Sequence, residues 1–160
     1  MGTGTADGTE ANTANLLYVD NSNVWIEGMR VSAVKKGLAV DISTALQRNI
    51  SDPSWHIDFG RLFAFAGGDK SEVKRAALFG SRPPPNDSLW EAARARGFEV
   101  IVYDRNVANR EKKIDTDIVT SMVADSYEIL DPRNDQMTLV AGDADYVPAV
   151  EKLRKREIHV

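Results

Sequence analysis

Leu16-Leu17-Tyr18-Val19-Asp20-Asn21-Ser22-Asn23 is a short apolar run that stops abruptly on an acid and continues into three small polar residues. Short continuous apolar runs bounded by turn formers suit a strand buried on both faces, as in a parallel sheet. A first strand is expected over residues 16–19. Asn21-Ser22-Asn23 then supplies helix-capping side chains before Val24-Trp25-Ile26, and apolar residues continue at helical spacing through Met29 and Val31 to a stop near Gly37. The unit reads as strand, polar turn, helix.

The same alternation recurs downstream. A short helix is expected over 42–48, and Asp58 can cap a helix carrying Leu62, Phe63 and Phe65 that Gly67-Gly68 closes. Residues 73–79 read as strand two. The run Pro83-Pro84-Pro85 makes 80–85 a loop, since proline donates no backbone hydrogen bond. Asn86-Asp87-Ser88 caps a helix over 89–96, with Gly97 at its C-cap. Strand three follows over 98–103, the polar, basic stretch 104–113 reads as an exposed loop, and a long helix runs from 115 to about 130. Residues 137–141 read as strand four, Gly142-Asp143-Ala144-Asp145 as a turn, and Pro148 suits the first turn of a helix reaching Arg156. Ile158-His159-Val160 begins a fifth strand. Strands alternating with helices at this spacing imply an α/β three-layer sandwich with a mostly parallel central sheet.

Upstream, residues 1–15 are small and polar and read as a flexible tail, leaving one domain over 16–160. A chain of 160 residues fits a single core. It has no apolar run approaching the ~20 residues of a membrane span and no basic segment leading into an apolar signal core, so a cytoplasmic protein with no membrane partner is expected. There is no cysteine and there are two histidines, His56 and His159, so chemistry has to run on carboxylates and hydroxyls. The net charge of −4 does not favour a nucleic-acid partner unless acids converge on bound cations and make the local field positive.

Ligands of open parallel sheets bind outside the carboxyl ends of the strands. Asp20 ends strand one there, Asp143 and Asp145 follow strand four, and Asp115 and Asp117 begin the helix after strand three. Five carboxylates at one rim repel one another unless a cation neutralises them, and oxygen ligands suit Mg²⁺ or Mn²⁺. Each also has a local reading: Asp20 and Asp115 as helix caps, Asp117 beside the positive helix end, Asp143 and Asp145 as turn residues. Asp7, Asp41, Asp52, Asp69, Asp87, Asp104, Asp125, Asp131 and Asp135 read as solvent or capping residues.

Three segments resemble the NYN family, a branch of the PIN-like ribonuclease superfamily, and in particular its bacterial LabA-like (DUF88) group. They are Tyr18-Val19-Asp20-Asn21-Ser22-Asn23, Lys112-Lys113-Ile114-Asp115-Thr116-Asp117, and Leu139-Val140-Ala141-Gly142-Asp143-Ala144-Asp145-Tyr146-Val147-Pro148 with Leu153-Arg154 following. The resemblance implies a Rossmann-like parallel sheet, bound Mg²⁺ or Mn²⁺ and cleavage of RNA. It implies that Asp20, Asp115 and Asp143 are the core metal-binding, catalytic acids and that Asp145 is the last acid, acting through water. Asp117 is a helper at the metal, and Asn23 is the polar residue accompanying Asp20. The chain departs from the family pattern at Ser121, where many members carry a further aspartate that bears on a second ion. It also ends at Val160, inside the fifth strand, as a C-terminal truncation would.

Arg82 beside the prolines, and Arg105, Arg110, Lys112 and Lys113 after strand three, are candidate RNA contacts on the same rim, or simply solvated loop charges. Trp25 and Tyr146 read either as base-stacking or as core residues. The expected function is a metal-dependent endoribonuclease of single-stranded RNA, with a homodimer as a possible assembly. The alternative is a non-catalytic RNA-binding or protein-interaction module that keeps the acidic cluster. An aspartyl-phosphate hydrolase fits poorly, because no Asp-x-Asp begins at Asp20 and no glycine-rich phosphate loop follows it.

Overall fold

Strand β1 (Asn15–Asp20) is buried along its whole length, because it lies inside the sheet and between two helical layers. The computed structural model describes residues 13–81, 87–104 and 110–160, with the backbone alone for 110–112. After β1 come α1 (Asn21–Lys35), α2 (Ile42–Gln47), α3 (Phe59–Ala66), β2 (Val73–Ser81), α4 (Ser88–Ala95), β3 (Glu99–Tyr103), α5 (Arg110–Glu128), β4 (Gln136–Val140) and α6 (Val147–Arg154). The strands pair in parallel in the order β3-β2-β1-β4. A parallel bridge from Gln136 to His159, with Met137 N–H donating to the His159 carbonyl at 2.8 Å, places the fifth strand's start beyond β4. No described helix is long and apolar enough to cross a membrane.

Alternation along the inner strands divides the core in two. Leu16, Tyr18, Ala77 and Phe79 face Ile114, Ile118 and Met122 of α5 and Leu153 of α6. Leu17, Val19, Ala76 and Leu78 face Phe59 and Phe63 of α3 and Trp90 and Ala93 of α4. Successive strand side chains point to opposite faces, so a run apolar at every position buries both.

Several local expectations shift. β1 opens at Asn15, whose side-chain amide donates to the Ala66 and Gly67 carbonyls, while residues 1–12 of the expected tail lie outside the described residues. The cap of α1 is Asp20 itself, accepting from Asn23 N–H at 3.1 Å, and not the polar triplet after it. α5 is already helical at Arg110, so the end of the expected loop 104–113 is the helix's first turn. Arg, Glu and Lys are strong helix formers, and their charge alone does not mark a loop.

Three aspartates read as solvent or capping residues are buried instead. Asp125 accepts from Tyr18 Oη at 2.6 Å and from Arg75 at 2.5 Å, and Arg75 also pairs with Glu99. Asp52 accepts from Ser32, Ser54 and Lys36. Asp135 accepts from Lys74 and from the N–H groups of Asp131 and Ala14. Burial pushes the Asp135 carboxyl up, but Lys74 and the two N–H donors outweigh it and hold it below the ordinary 3.8. Lys36, Ser32 and Ser54 hold Asp52 well below that range.

A carboxyl whose folded pKa is depressed contributes stability that is fully present above its unfolded pKa and is lost as pH falls through the folded one. Stability is therefore expected to decline below about pH 4. Asp135→Asn is expected to cost about 2 kcal/mol at neutral pH and to flatten this acid limb. Urea unfolding of both proteins at a series of pH values checks it, and parallel curves would rule out the assigned role of Asp135.

Candidate metal centre

The chain leaves β1 toward β2 through helices on one face and returns from β3 to β4 through α5 on the other, so the topology reverses between β1 and β4. Loops diverge at such a point and open a crevice at the strands' carboxyl ends. Asp20 ends β1 there. Asp143 follows β4, and Asp115 lies in the first part of α5 rather than at its start. A cleft of about 430 Å³ is lined by Asp20, Asn23, Asp115, Asp143 and Asp145.

The inner half of the cleft is tied together by Tyr146. The residue is 3% exposed, and its hydroxyl lies 2.7 Å from Asp115 Oδ1 and 3.2 Å from Asp20 Oδ2. Burial, then the neighbouring Asp115 and Asp20 carboxylates, push the phenol far up, so it stays a proton donor. Burial raises the Asp20 carboxyl and the charge of Asp115 raises it further, opposed by the Asn23 N–H and the Tyr146 hydroxyl. Two carboxylates share one hydroxyl proton, and a positive charge is what they lack.

The outer half is exposed. Asp143 caps the 3₁₀ turn Ala144–Tyr146, accepting from Asp145 N–H at 2.9 Å. Asn23 Oδ1 accepts from Gly142 N–H at 2.7 Å and so ties the turn to α1. A Cβ at Gly142 would sit 2.9 Å from that oxygen, so a side chain there would displace Asn23 from this contact. Asp115, Asp143 and Asp145 each offer one oxygen within 4.8 Å of the others. Three clustered carboxylate oxygens, with Asp20 behind them, fit a hard divalent cation.

Four of the five expected acids share this cleft. Asp117 does not line it, because two residues along a helix turn its side chain about 200° from that of Asp115. Asn23 is in place, with its oxygen committed to Gly142. Lys113 is on α5 itself, with its ammonium 4.6 Å from the centre of the Tyr103 ring, and is not among the cleft's lining residues. Arg82 and Arg105 lie outside the described residues, as do the side chains of Arg110 and Lys112. Trp25 is half-buried, edge-on to Trp55 at 6.3 Å. Ser121 is half-buried and not among the cleft's lining residues. The role of Tyr146 was missed, though a tyrosine directly after the acidic turn is the kind of residue that buries a ring and brings a donor with it.

Comparison with curated proteins gives no match. Among solved structures, a protein of unknown function from Vibrio parahaemolyticus RIMD 2210633 superposes with a TM-score of 0.56 at 15% identity, over 91% of this chain and 77% of that one. That likeness supports the parallel α/β architecture. The NYN domain family profile matches residues 21–160, a span running from the helix that Asp20 caps through Asp115, Asp143 and Asp145, and the chain belongs to this family of PIN-like, generally nuclease domains.

Proposed function

We propose that the chain is a LabA-like endoribonuclease that hydrolyses phosphodiester bonds of single-stranded RNA with Mg²⁺ or Mn²⁺ held by Asp115, Asp143 and Asp145. The observation that carries this reading is the meeting of carboxylates from β1, α5 and the turn after β4 in one open cleft, three of them within 4.8 Å. The chemistry a bound divalent ion supplies there is activation of a water and neutralisation of charge on the phosphoryl and leaving oxygens.

The protein's own part is positioning. Asp115 is the inner ligand, held by the Tyr146 hydroxyl, and Asp143 and Asp145 are the outer ones, held by the 3₁₀ turn. Asp20 is the buried acid behind them, fixed by the Asn23 N–H and facing Tyr146. Asn23 holds the Gly142 backbone and keeps the outer ligands opposite the inner one. The openness of the outer half leaves room for a phosphodiester to approach, and the exposed acids can accept the proton of an attacking water.

Asp143 is exposed, so Asp143→Asn is expected to keep its thermal midpoint while losing at least about 100-fold in Mn²⁺-dependent cleavage of a fluorescent single-stranded RNA. Cleavage at the wild-type rate would remove the proposal. Tyr146→Phe removes the donor that lies between Asp20 and Asp115. In EDTA it is expected to lose about 2 kcal/mol of unfolding free energy, and to gain more than wild type when Mn²⁺ is added. Denaturant titrations with and without the ion decide it; identical stability in EDTA would rule out the bridging role.

A further inference from the structure

A second concavity, a groove of about 470 Å³ between α5 and α6, starts where the carboxylate cleft ends, and Asp145 lines both. One wall is Val119, Val123 and Tyr127, spaced by four along α5. The other is Pro148, Lys152 and Arg156, also spaced by four along α6 and the turn that follows it. Residues four apart lie on one helix face, so each wall is a continuous stripe leading away from the acids. From Val119 to Tyr127 the stripe covers ~12 Å, which places its far end beside neighbours of the reacting phosphate rather than the phosphate itself.

The walls differ in chemistry. The α5 wall is apolar and open to solvent, with Val123 40% and Tyr127 70% exposed. The α6 wall carries two cations, Lys152 and Arg156. Arg156 lies 3.7 Å from the centre of the Tyr127 ring and donates to Ser126 Oγ at 2.7 Å, so one ring face is backed by a fixed guanidinium. Arginine carries five N–H donors, and these contacts do not exhaust them. An aromatic platform beside a pair of cations is a combination that suits single-stranded nucleic acid: rings stack on unpaired bases while lysine and arginine meet the phosphates.

We propose that this groove is the track for single-stranded RNA flanking the cleaved bond, with a base stacked on Tyr127 and phosphates against Lys152 and Arg156. The assignment rests on the nuclease reading of the adjoining cleft. It also gives the single strand of that reading a physical ground, because a paired base cannot present its face to Tyr127. A protein segment covering the apolar wall is the competing occupant, and it makes no use of the cationic wall or of the shared Asp145 boundary.

The test measures binding of a short fluorescein-labelled single-stranded RNA, and of its duplex, to the full chain carrying Asp143→Asn, so that the probe stays intact. Adding Tyr127→Ala is expected to weaken single-strand binding about tenfold or more and to leave duplex binding unchanged. Adding Lys152→Ala is expected to lower the slope of log affinity on log salt by about 0.7. Single-strand affinities and salt slopes equal to the parent's would overturn the track and leave the groove to a protein partner. So would equal losses for single strand and duplex. In the otherwise wild-type chain, Tyr127→Ala is expected to titrate Mn²⁺ as wild type does, which separates the two ideas. If wild type cleaves RNA and Asp143→Asn does not, the nuclease reading stands whatever the groove variants do. If the wild-type chain neither binds nor cleaves RNA, both fall.

Discussion

β1 has β2 and β4 on its two sides and helices over both faces, so apart from the Tyr18 hydroxyl, which donates to Asp125, its polar groups stand at its ends. At its start Asn15 is fully used, donating to the Ala66 and Gly67 carbonyls and accepting from Thr138. At its other end stands Asp20, 6% exposed, with its carboxyl pushed up by burial. A carboxylate is expensive in that position unless donors or cations face it. The rest of the centre follows from that demand. Helix α1 begins at once, so that its first free N–H groups meet the acid, and Tyr146, in the turn after β4, places a hydroxyl against it.

The helix end and the hydroxyl meet only part of the demand, since Tyr146 lies closer to Asp115 than to Asp20. This leaves the cleft divided into a braced half, where protein donors meet the buried Asp20 and the half-buried Asp115, and a wet half, where Asp143 and Asp145 are exposed on a short turn. In the proposed metal centre the braced half is the preformed edge against which a cation would sit. The wet half lets ligands and water exchange, which a hydrolytic centre needs and a purely structural ion site does not.

Much of this was legible before any coordinates. An unbroken apolar run closing on Asp20 implies a doubly covered strand, and acids after the first and fourth strands imply a shared rim. What escaped had a physical reason in each case. Asp117 looks equivalent to Asp115 along the chain, but only the helical rotation separates them, and that depends on knowing that α5 is already wound at Arg110. Asp125 sits three residues after Met122, on the same stripe as Ile114 and Ile118, so a core-facing acid could have been read from the spacing. Its partners, Tyr18 and Arg75, come from two different strands and carry no local signal. Asp135 and Asp52 likewise draw on distant donors. In the sequence Tyr146 reads as a stacking or core residue, and both descriptions omit the hydroxyl that faces Asp20 and Asp115.

The net charge of −4 set against an RNA substrate is resolved by where the acids sit. Asp52, Asp125 and Asp135 are buried against Lys36, Arg75 and Lys74, so these charges largely cancel in place and add little to the outer field. Asp20, Asp115, Asp143 and Asp145 are gathered where an ion would offset them. A strand reaching the centre then meets Lys152 and Arg156 on one wall and an apolar face on the other, not the average charge of the chain. Affinity for a polyanion depends on phosphates neutralised along the contact, and a formal total counts paired and ion-bound carboxylates as though they faced solvent. The acidity of this chain is therefore compatible with nucleic-acid chemistry to the extent that its acids are already committed, by partners in the core and by the cleft that gathers them at the rim.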